Sequence, residues 1–385
     1  MITNWPTKKL GEVCGVIGGG TPSREDIQNF VGDIPWVTVK DLHVFEIEDT
    51  LEHINEKALE NSAANLVPAY TVLVATRVGL GKIAISKRPL TFNQDIKGLK
   101  PHDEIDAYFL FYGLLINAHK IEENGVGATV KGITQEFLKD LKIAVPEKKI
   151  QKQIVERMDK IAEAQKLNDD LIQKTDELFQ SLLHKELNPA GKNWEMKKLG
   201  DVIAPQYGYT AAAQDAGKYR FIRITDIDDF GELRNNDKRY VSINPGEANP
   251  YKLNAGDLLL ARTGATFGKI LYFKKSGPAI FASFLIRLNP DTSKLDPFYI
   301  WLFSRSRSYW RQANSLMTGS GQPQFNANKL KQIKIPLPPL KIQKHIVAKL
   351  SAVQEYKKQL LTQKSLFKEL FDSVLSKSIG GQEYN

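Results

Sequence analysis

Two arginines stand where an apolar, strand-like run meets a glycine turn. One is Arg77 in V-A-T-R-V-G-L-G-K (74–82) and the other is Arg262 in L-A-R-T-G-A-T-F-G-K (260–269). A lysine closes each turn, Lys82 and Lys269. Side chains of these types bind phosphates and the acceptor edges of bases. Other polar residues collect around comparable turns. In the first half they are Thr21 and Ser23 after glycines 18–20, Thr38 and Lys40 after W-V-T-V, the run Asn93, Gln94 and Asp95, and Thr129 and Lys131 in G-V-G-A-T-V-K-G (125–132). In the second half they are Tyr207, Tyr209, Arg223, Thr225 and Ser283, then Gln322, Gln324 and Asn326 in G-S-G-Q-P-Q-F-N (319–326). Taken as a set they suit contact with a nucleic acid. Asp95 and Asp226 are placed to orient neighbouring cations, and Trp36, Phe221 and Trp301 read as core.

Residues for bond-making chemistry are sparse. The lone cysteine, Cys14, reads as a small buried apolar residue. The six histidines are scattered and form no H-x-x-x-H or H-E-x-x-H, so a metal site has no support. Gly79–Lys82 and Gly268-Lys269 lack the full G-x-x-x-x-G-K-[ST] spacing of a phosphate loop, and Ile follows Lys in both. Asn249-Pro250-Tyr251 is the nearest approach to an amino-methyltransferase Asn/Asp-Pro-Pro-aromatic motif, and it lacks the second proline.

The elements that must position these residues occur twice. W-P-T-K-K-L-G-E-V (5–13) returns as W-E-M-K-K-L-G-D-V (194–202), and L-K-I-A-V-P (141–146) as I-K-I-P-L-P (333–338). K-I-Q-K-x-I-V starts at 149 and again at 341. Ordered blocks at near-constant offset mean internal duplication. Each copy opens with short β-branched runs broken by glycine and proline, which read as strands. Short helices are expected near 106–118 and 297–308, and prolines 146, 336, 338 and 339 are expected to end the strand-like segments. A long stretch without Pro or Gly follows, rich in helix formers.

Heptad spacing places a seam on each long helix. In the first it runs through Ile154, Met158, Ile161, Ile172, Phe179 and Leu182, with Asn168 and Thr175 also at seam positions. In the second it runs through Ile346, Leu350, Val353, Leu360, Phe367, Phe371 and Val374, with Ile150 and Ile342 expected to begin the two seams. About 36 residues of each helix would span roughly 54 Å at 1.5 Å per residue. The second can bury its seam on the first only by running back along it, so the pair is expected to be antiparallel. The fold expected is α+β: two similar mixed α/β lobes (1–147 and 191–339) joined by two long antiparallel helices (148–188 and 340–379) about a pseudo-two-fold axis.

The net charge of +9 is uneven. Residues 1–147 hold 15 Lys and Arg against 20 Asp and Glu, and residues 191–340 hold 22 against 12. Residues 150–187 carry −2 and residues 341–378 carry +5, compatible with pairing of the long helices. A basic protein suggests a polyanion partner, but the first lobe must then bind through a local patch. No run of 18 or more apolar residues occurs and the opening M-I-T-N-W-P-T-K-K has no apolar signal core, so a cytoplasmic protein with no membrane partner is expected. Two diverged lobes on a rigid spacer suit duplex DNA read as two unlike half-sites at fixed separation.

The order lobe–helix–lobe–helix, with W-x-x-K-K-L-G-[ED]-V opening each lobe, resembles the specificity subunit of type I restriction-modification enzymes. T-R-V-G-L-G-K (76–82), F-N-Q-D-I-K-G-L (92–99), G-S-G-Q-P-Q-F-N and I-x-x-P-L-P-P-L-x-x-Q-x-x-I (333–346) are similar to that family's motifs, and the likeness covers essentially the whole chain. The resemblance implies that each lobe is a target-recognition domain for double-stranded DNA and that the helices dock two methyltransferase subunits. It implies no cofactor in this chain. S-adenosylmethionine, used to methylate adenine N6, would sit on partner subunits, as would ATP and Mg where restriction or motor subunits join. The alternatives are the specificity part of a related bifunctional methyltransferase–nuclease, a two-lobed scaffold for proteins without DNA, and a stand-alone nucleotide-dependent enzyme.

Overall fold

The computed structural model describes residues 5–127, 131–228, 230–274, 277–317 and 324–379. The chain divides into two compact units. One comprises Met1–Asp169 with Thr362–Asn385, and the other comprises Asp170–Leu361. Each unit thus contains one lobe, half of the helix Lys148–Leu187 and half of the helix Leu340–Ile379.

The two lobes repeat one topology. In the first, Thr7–Lys9 pairs antiparallel with Lys142–Ala144. A sheet follows in the order Cys14–Gly18, Ile96–Pro101, Val72–Ala75, Ile83–Ser86, Glu46–Ile47, and a smaller one in the order His53–Ile54, Ile34–Val37, Thr91–Phe92. In the second lobe Glu195–Lys198 pairs with Lys334–Leu337. Its main sheet runs Ile203–Tyr207, Leu285–Pro290, Leu258–Ala261, Ile270–Tyr272, and its smaller one Tyr240–Val241, Tyr219–Ile222, Ala279–Phe281. The central strands V-L-V-A and L-L-L-A are buried on both faces, which is why they read as unbroken apolar runs.

Asp106 and Asp296 cap the lobe helices Ala107–Glu123 and Pro297–Phe303 by accepting two backbone N–H groups each. The second lobe continues with a separate helix, Arg307–Leu316, capped by Ser306, so the single short helix expected at 297–308 is two. Pro336 does not stop its strand. It lies inside Lys334–Leu337 opposite Met196, which a two-stranded edge tolerates.

The long helices pair antiparallel within each unit. In the first unit the Gln165 amide donates to the Phe367 carbonyl at 3.2 Å and Lys364 pairs with Asp169 at 2.8 Å. In the second, Lys357 meets Asp176 and Lys349 meets Glu186, both at 2.6 Å. The seam residues also serve the lobes. Ile154, Met158 and Phe371 join the core of the first lobe, and Phe179, Ile346 and Leu350 that of the second. Leu183, Leu187, Leu375 and Ile379 complete these contacts. Ile161, Ile172, Leu182, Val353, Phe367 and Val374 are half-buried, whereas Leu360, Asn168 and Thr175 are buried. Ile150 is half-buried against the first core, but Ile342 is exposed, so the second seam begins at Ile346.

Candidate nucleic-acid interface

In the first lobe one edge gathers most of the polar residues picked out by type. Thr76 is held at the end of its strand: its N–H and hydroxyl donate to the Asp95 carbonyl at 2.8 and 3.2 Å, and its own carbonyl accepts the Ile133 N–H at 2.9 Å. Arg77, next along, points to solvent with its guanidinium 3.6 Å from the Asp95 carboxylate. Asn93 brackets Asp95 through its own side chain at 3.2 and 3.3 Å. The Thr21 hydroxyl donates to Gln94. Lys82 leaves the turn made by Gly79 and Gly81, whose φ values are +70° and +80°, and reaches the Val39 carbonyl at 3.4 Å. Lys131 is exposed beside Gly132, a residue packed against the Arg77 side chain.

Two of these residues shape the backbone as well. Thr38 closes a turn on Asp41 through its N–H at 2.7 Å and its hydroxyl at 2.8 Å, and exposes Lys40. Ser23 accepts the Glu25 N–H at 3.4 Å in a local turn and, among the described residues, shows no bond to the Arg77 edge. Thr129 and Gln322 lie outside the described residues.

The second lobe builds the same edge with other side chains. Arg262 lies over the rings of Tyr207 and Phe284, 5.2 and 5.5 Å from their centroids. The Tyr207 hydroxyl accepts the Ala327 N–H at 3.2 Å, and the Gln324 amide donates to Thr263 at 3.3 Å. Asn326 caps the helix Ala327–Leu330. Ser283 donates its N–H to the Tyr209 carbonyl at 2.8 Å, and the Tyr209 hydroxyl reaches Glu247 at 3.1 Å. Lys269 closes its turn as Lys82 does, with the Ala261 N–H on its carbonyl at 2.9 Å. Thr225 is exposed. Arg223 is already occupied: its side chain bonds the buried Asp226 at 3.0 and 3.2 Å and Asp237 at 3.2 Å, and the Asp226 bond raises its pKa.

Backbone bonds establish which positions correspond, and they correct the pairing of the two arginines. The Thr76 N–H donates to Asp95 and its carbonyl accepts from Ile133; Arg262 does the same with Phe284 and Phe325, at 3.1 and 2.7 Å. Arg262 therefore occupies the position of Thr76, and Thr263 that of Arg77. One residue along an extended strand turns the side chain to the opposite face. The same bonds match Asp95 with Phe284. They also match Gly20 with Tyr209, since these two N–H groups bond the Phe92 and Phe281 carbonyls. The residue before each is a glycine by necessity. A Cβ on Gly19 would lie 2.1 Å from the Asn93 carbonyl oxygen, and one on Gly208 2.3 Å from that of Ala282.

Residue type alone did not single out Arg24, which forms a two-pronged bond with Glu52 at 2.6 and 2.8 Å while lying 4.4 Å from the Phe30 centroid. Lys97, whose ammonium extends beside Gly18, was missed as well. Cys14 is buried, donates to the Leu10 carbonyl at 3.1 Å, and has its thiol pushed up to about 12 by burial. Among the described residues no cluster of three or more His, Cys, Asp or Glu could hold a metal ion, and no helix is long and apolar enough to cross a membrane.

Comparison with known proteins agrees with this geometry. The family model described as type I restriction modification DNA specificity domain matches the chain twice, over residues 2–175 and 191–366. The chain is 28% identical over 251 residues to the type I restriction enzyme MjaIX specificity subunit of Methanocaldococcus jannaschii, covering 58% of each protein. It is 32% identical over 190 residues to the EcoR124I/EcoR124II specificity subunit of Escherichia coli, covering 46% of this chain and 47% of that one. These matches span about half the length of those two relatives. A match to the StySPI specificity subunit of Salmonella potsdam is 22% identical and covers 98% of this chain and 89% of the relative. The crystal structure of an S subunit of a type I restriction-modification system from M. genitalium shares the fold, with a TM-score of 0.60, 15% identity, and coverage of 99% and 97%. A structure concerned with assembly of the type I system gives 0.65, with 18% identity and 97% of each chain covered. The chain therefore belongs to the type I restriction modification DNA specificity domain family and carries two copies of that domain.

Proposed function

We propose that this chain is the DNA-recognition subunit of a type I restriction-modification complex. Each lobe reads one half of an asymmetric, two-part duplex target, and the long helices dock methyltransferase subunits. The observation that carries this reading is the repeated edge. Matched backbone positions recur in both lobes, yet they present Thr76 and Asp95 in one and Arg262 and Phe284 in the other. A shared frame with unlike side chains is what two recognition modules for unlike half-sites require.

The chain supplies no catalytic group in this proposal. S-adenosylmethionine belongs to the methyltransferase subunits, as do ATP and Mg to any restriction subunit, and the complex works on DNA in the cytoplasm. Mapping methylated adenines across the genome of cells with and without this chain tests the reading. A two-part motif that vanishes with the chain supports it; an unchanged methylation map overturns it. Duplex binding by the complex that fails to weaken between low and moderate salt would favour a protein-only scaffold instead.

A further inference from the structure

The two lobes treat their arginines in opposite ways. Arg77 is an exposed cation answered by the Asp95 carboxylate. No carboxylate or other hydrogen-bond acceptor among the described residues reaches the Arg262 side chain, and its Nε is buried without a partner. What holds it is the pair of rings, Tyr207 and Phe284, which are themselves 43% and 51% exposed. The first lobe has Asp95 where the second has Phe284, and Thr76 where the second has Arg262.

We propose that Arg262 is a specificity-determining residue that reads a guanine in the half-site of the second lobe. This deepens the DNA-recognition reading and rests on it. A partly desolvated cation with no counter-charge is costly alone and gains most from a ligand that completes its bonds. Rings on its flanks hold the planar group in place, so little ordering remains when a two-pronged acceptor arrives. Guanine O6 and N7 form such an acceptor in the major groove, and this is the commonest arginine contact to a base. The surroundings favour a base over a phosphate. Phosphates are usually held by several N–H or O–H donors, whereas Tyr207 and Phe284 offer apolar faces suited to base edges and methyl groups.

The test is selection from randomised duplexes by the complex of this chain with its methyltransferase subunits, using the wild type, Arg262→Lys and Arg262→Ala. The wild type is expected to enrich a two-part motif with a guanine in the second-lobe half. Both variants should lose preference at that position by about 5- to 150-fold, with the first-lobe half intact. Replacing that guanine by 7-deazaguanine should weaken the wild type and leave Arg262→Ala indifferent. If Arg262→Ala does not fold, Arg262→Lys decides, since it keeps the charge and loses only the fork. An even loss across all sequences, marking a phosphate contact, overturns the proposal, as does an unchanged motif. A wild-type complex that enriches no motif at all overturns the DNA-recognition reading and this inference together.

Discussion

Gln151 accepts the Asp106 backbone N–H on its side-chain oxygen at 2.7 Å, and Gln343 does the same for Asp296 at 2.8 Å. Each glutamine is wholly buried. Its amide nitrogen donates to the Glu104 and Pro146 carbonyls at 3.0 and 2.7 Å in one copy, and to the Lys294 and Pro338 carbonyls at 2.8 Å each in the other. The glutamine thus locks the start of a long helix to the N-cap of a lobe helix. This is the physical content of the repeated K-I-Q-K-x-I-V.

Replacing either glutamine by leucine would keep most of the volume and strand one N–H and two carbonyls. Each stranded group costs about 1–3 kcal/mol, less where water can enter. Gln151→Leu and Gln343→Leu should each lower stability by roughly 3 kcal/mol, seen as an earlier thermal transition. A shift indistinguishable from that of an exposed control such as Gln153→Leu would refute the lock.

Gly19→Ala and Gly208→Ala should each disable one lobe, because the clash is with backbone carbonyls that cannot move aside. The expected readout is a motif that keeps one half and loses the other. Retention of both halves in either variant would show that the strand ends can separate.

Asp95→Asn should free Arg77 without unfolding the lobe, since the Arg77 end of the pair is exposed and the 3.6 Å separation is too long for a hydrogen bond, so the pair contributes about 0–1 kcal/mol. Binding to non-target duplex should strengthen, and its dependence on salt should steepen by about one unit of slope. Titrations of the complex between 50 and 200 mM salt, on the order of the range over which such contacts are resolved, check this.

Cys14 gives a pH prediction. Its thiol ionises near 8.5 in an unfolded chain and near 12 here. The folded state holds that proton more tightly, so its contribution is fully present below about pH 8.5 and lost as pH rises toward 12, at up to about 1.4 kcal/mol per unit. Cys14→Ala should show a shallower alkaline loss of stability than the wild type. The folded wild-type thiol should also resist alkylation at pH 8; equal rates folded and unfolded would contradict its burial.

The duplication, the strand-like character of the lobes and the long helices were legible because burial imposes simple periods on a sequence. Seam positions such as Met158 and Leu350 followed directly from that period. Arg223 was legible as a polar residue in a loop, yet its engagement by Asp226 was not. The spacing of three positions says only that a turn can close, and not that the carboxylate is buried beneath it.

By itself the sequence determined the order of elements, the internal repeat and the existence of two polar edges, because local periodicity and turn chemistry are written in neighbouring residues. Only the tertiary structure decided register. Arg77 and Arg262 look equivalent in the chain, but it is Thr76 and Arg262 whose N–H groups bond the matching carbonyls of Asp95 and Phe284, so Arg262 stands opposite Phe284 at the position Thr76 holds opposite Asp95. A one-residue offset, invisible to pattern, turns the side chain to the other face and gives each lobe a different cation to offer.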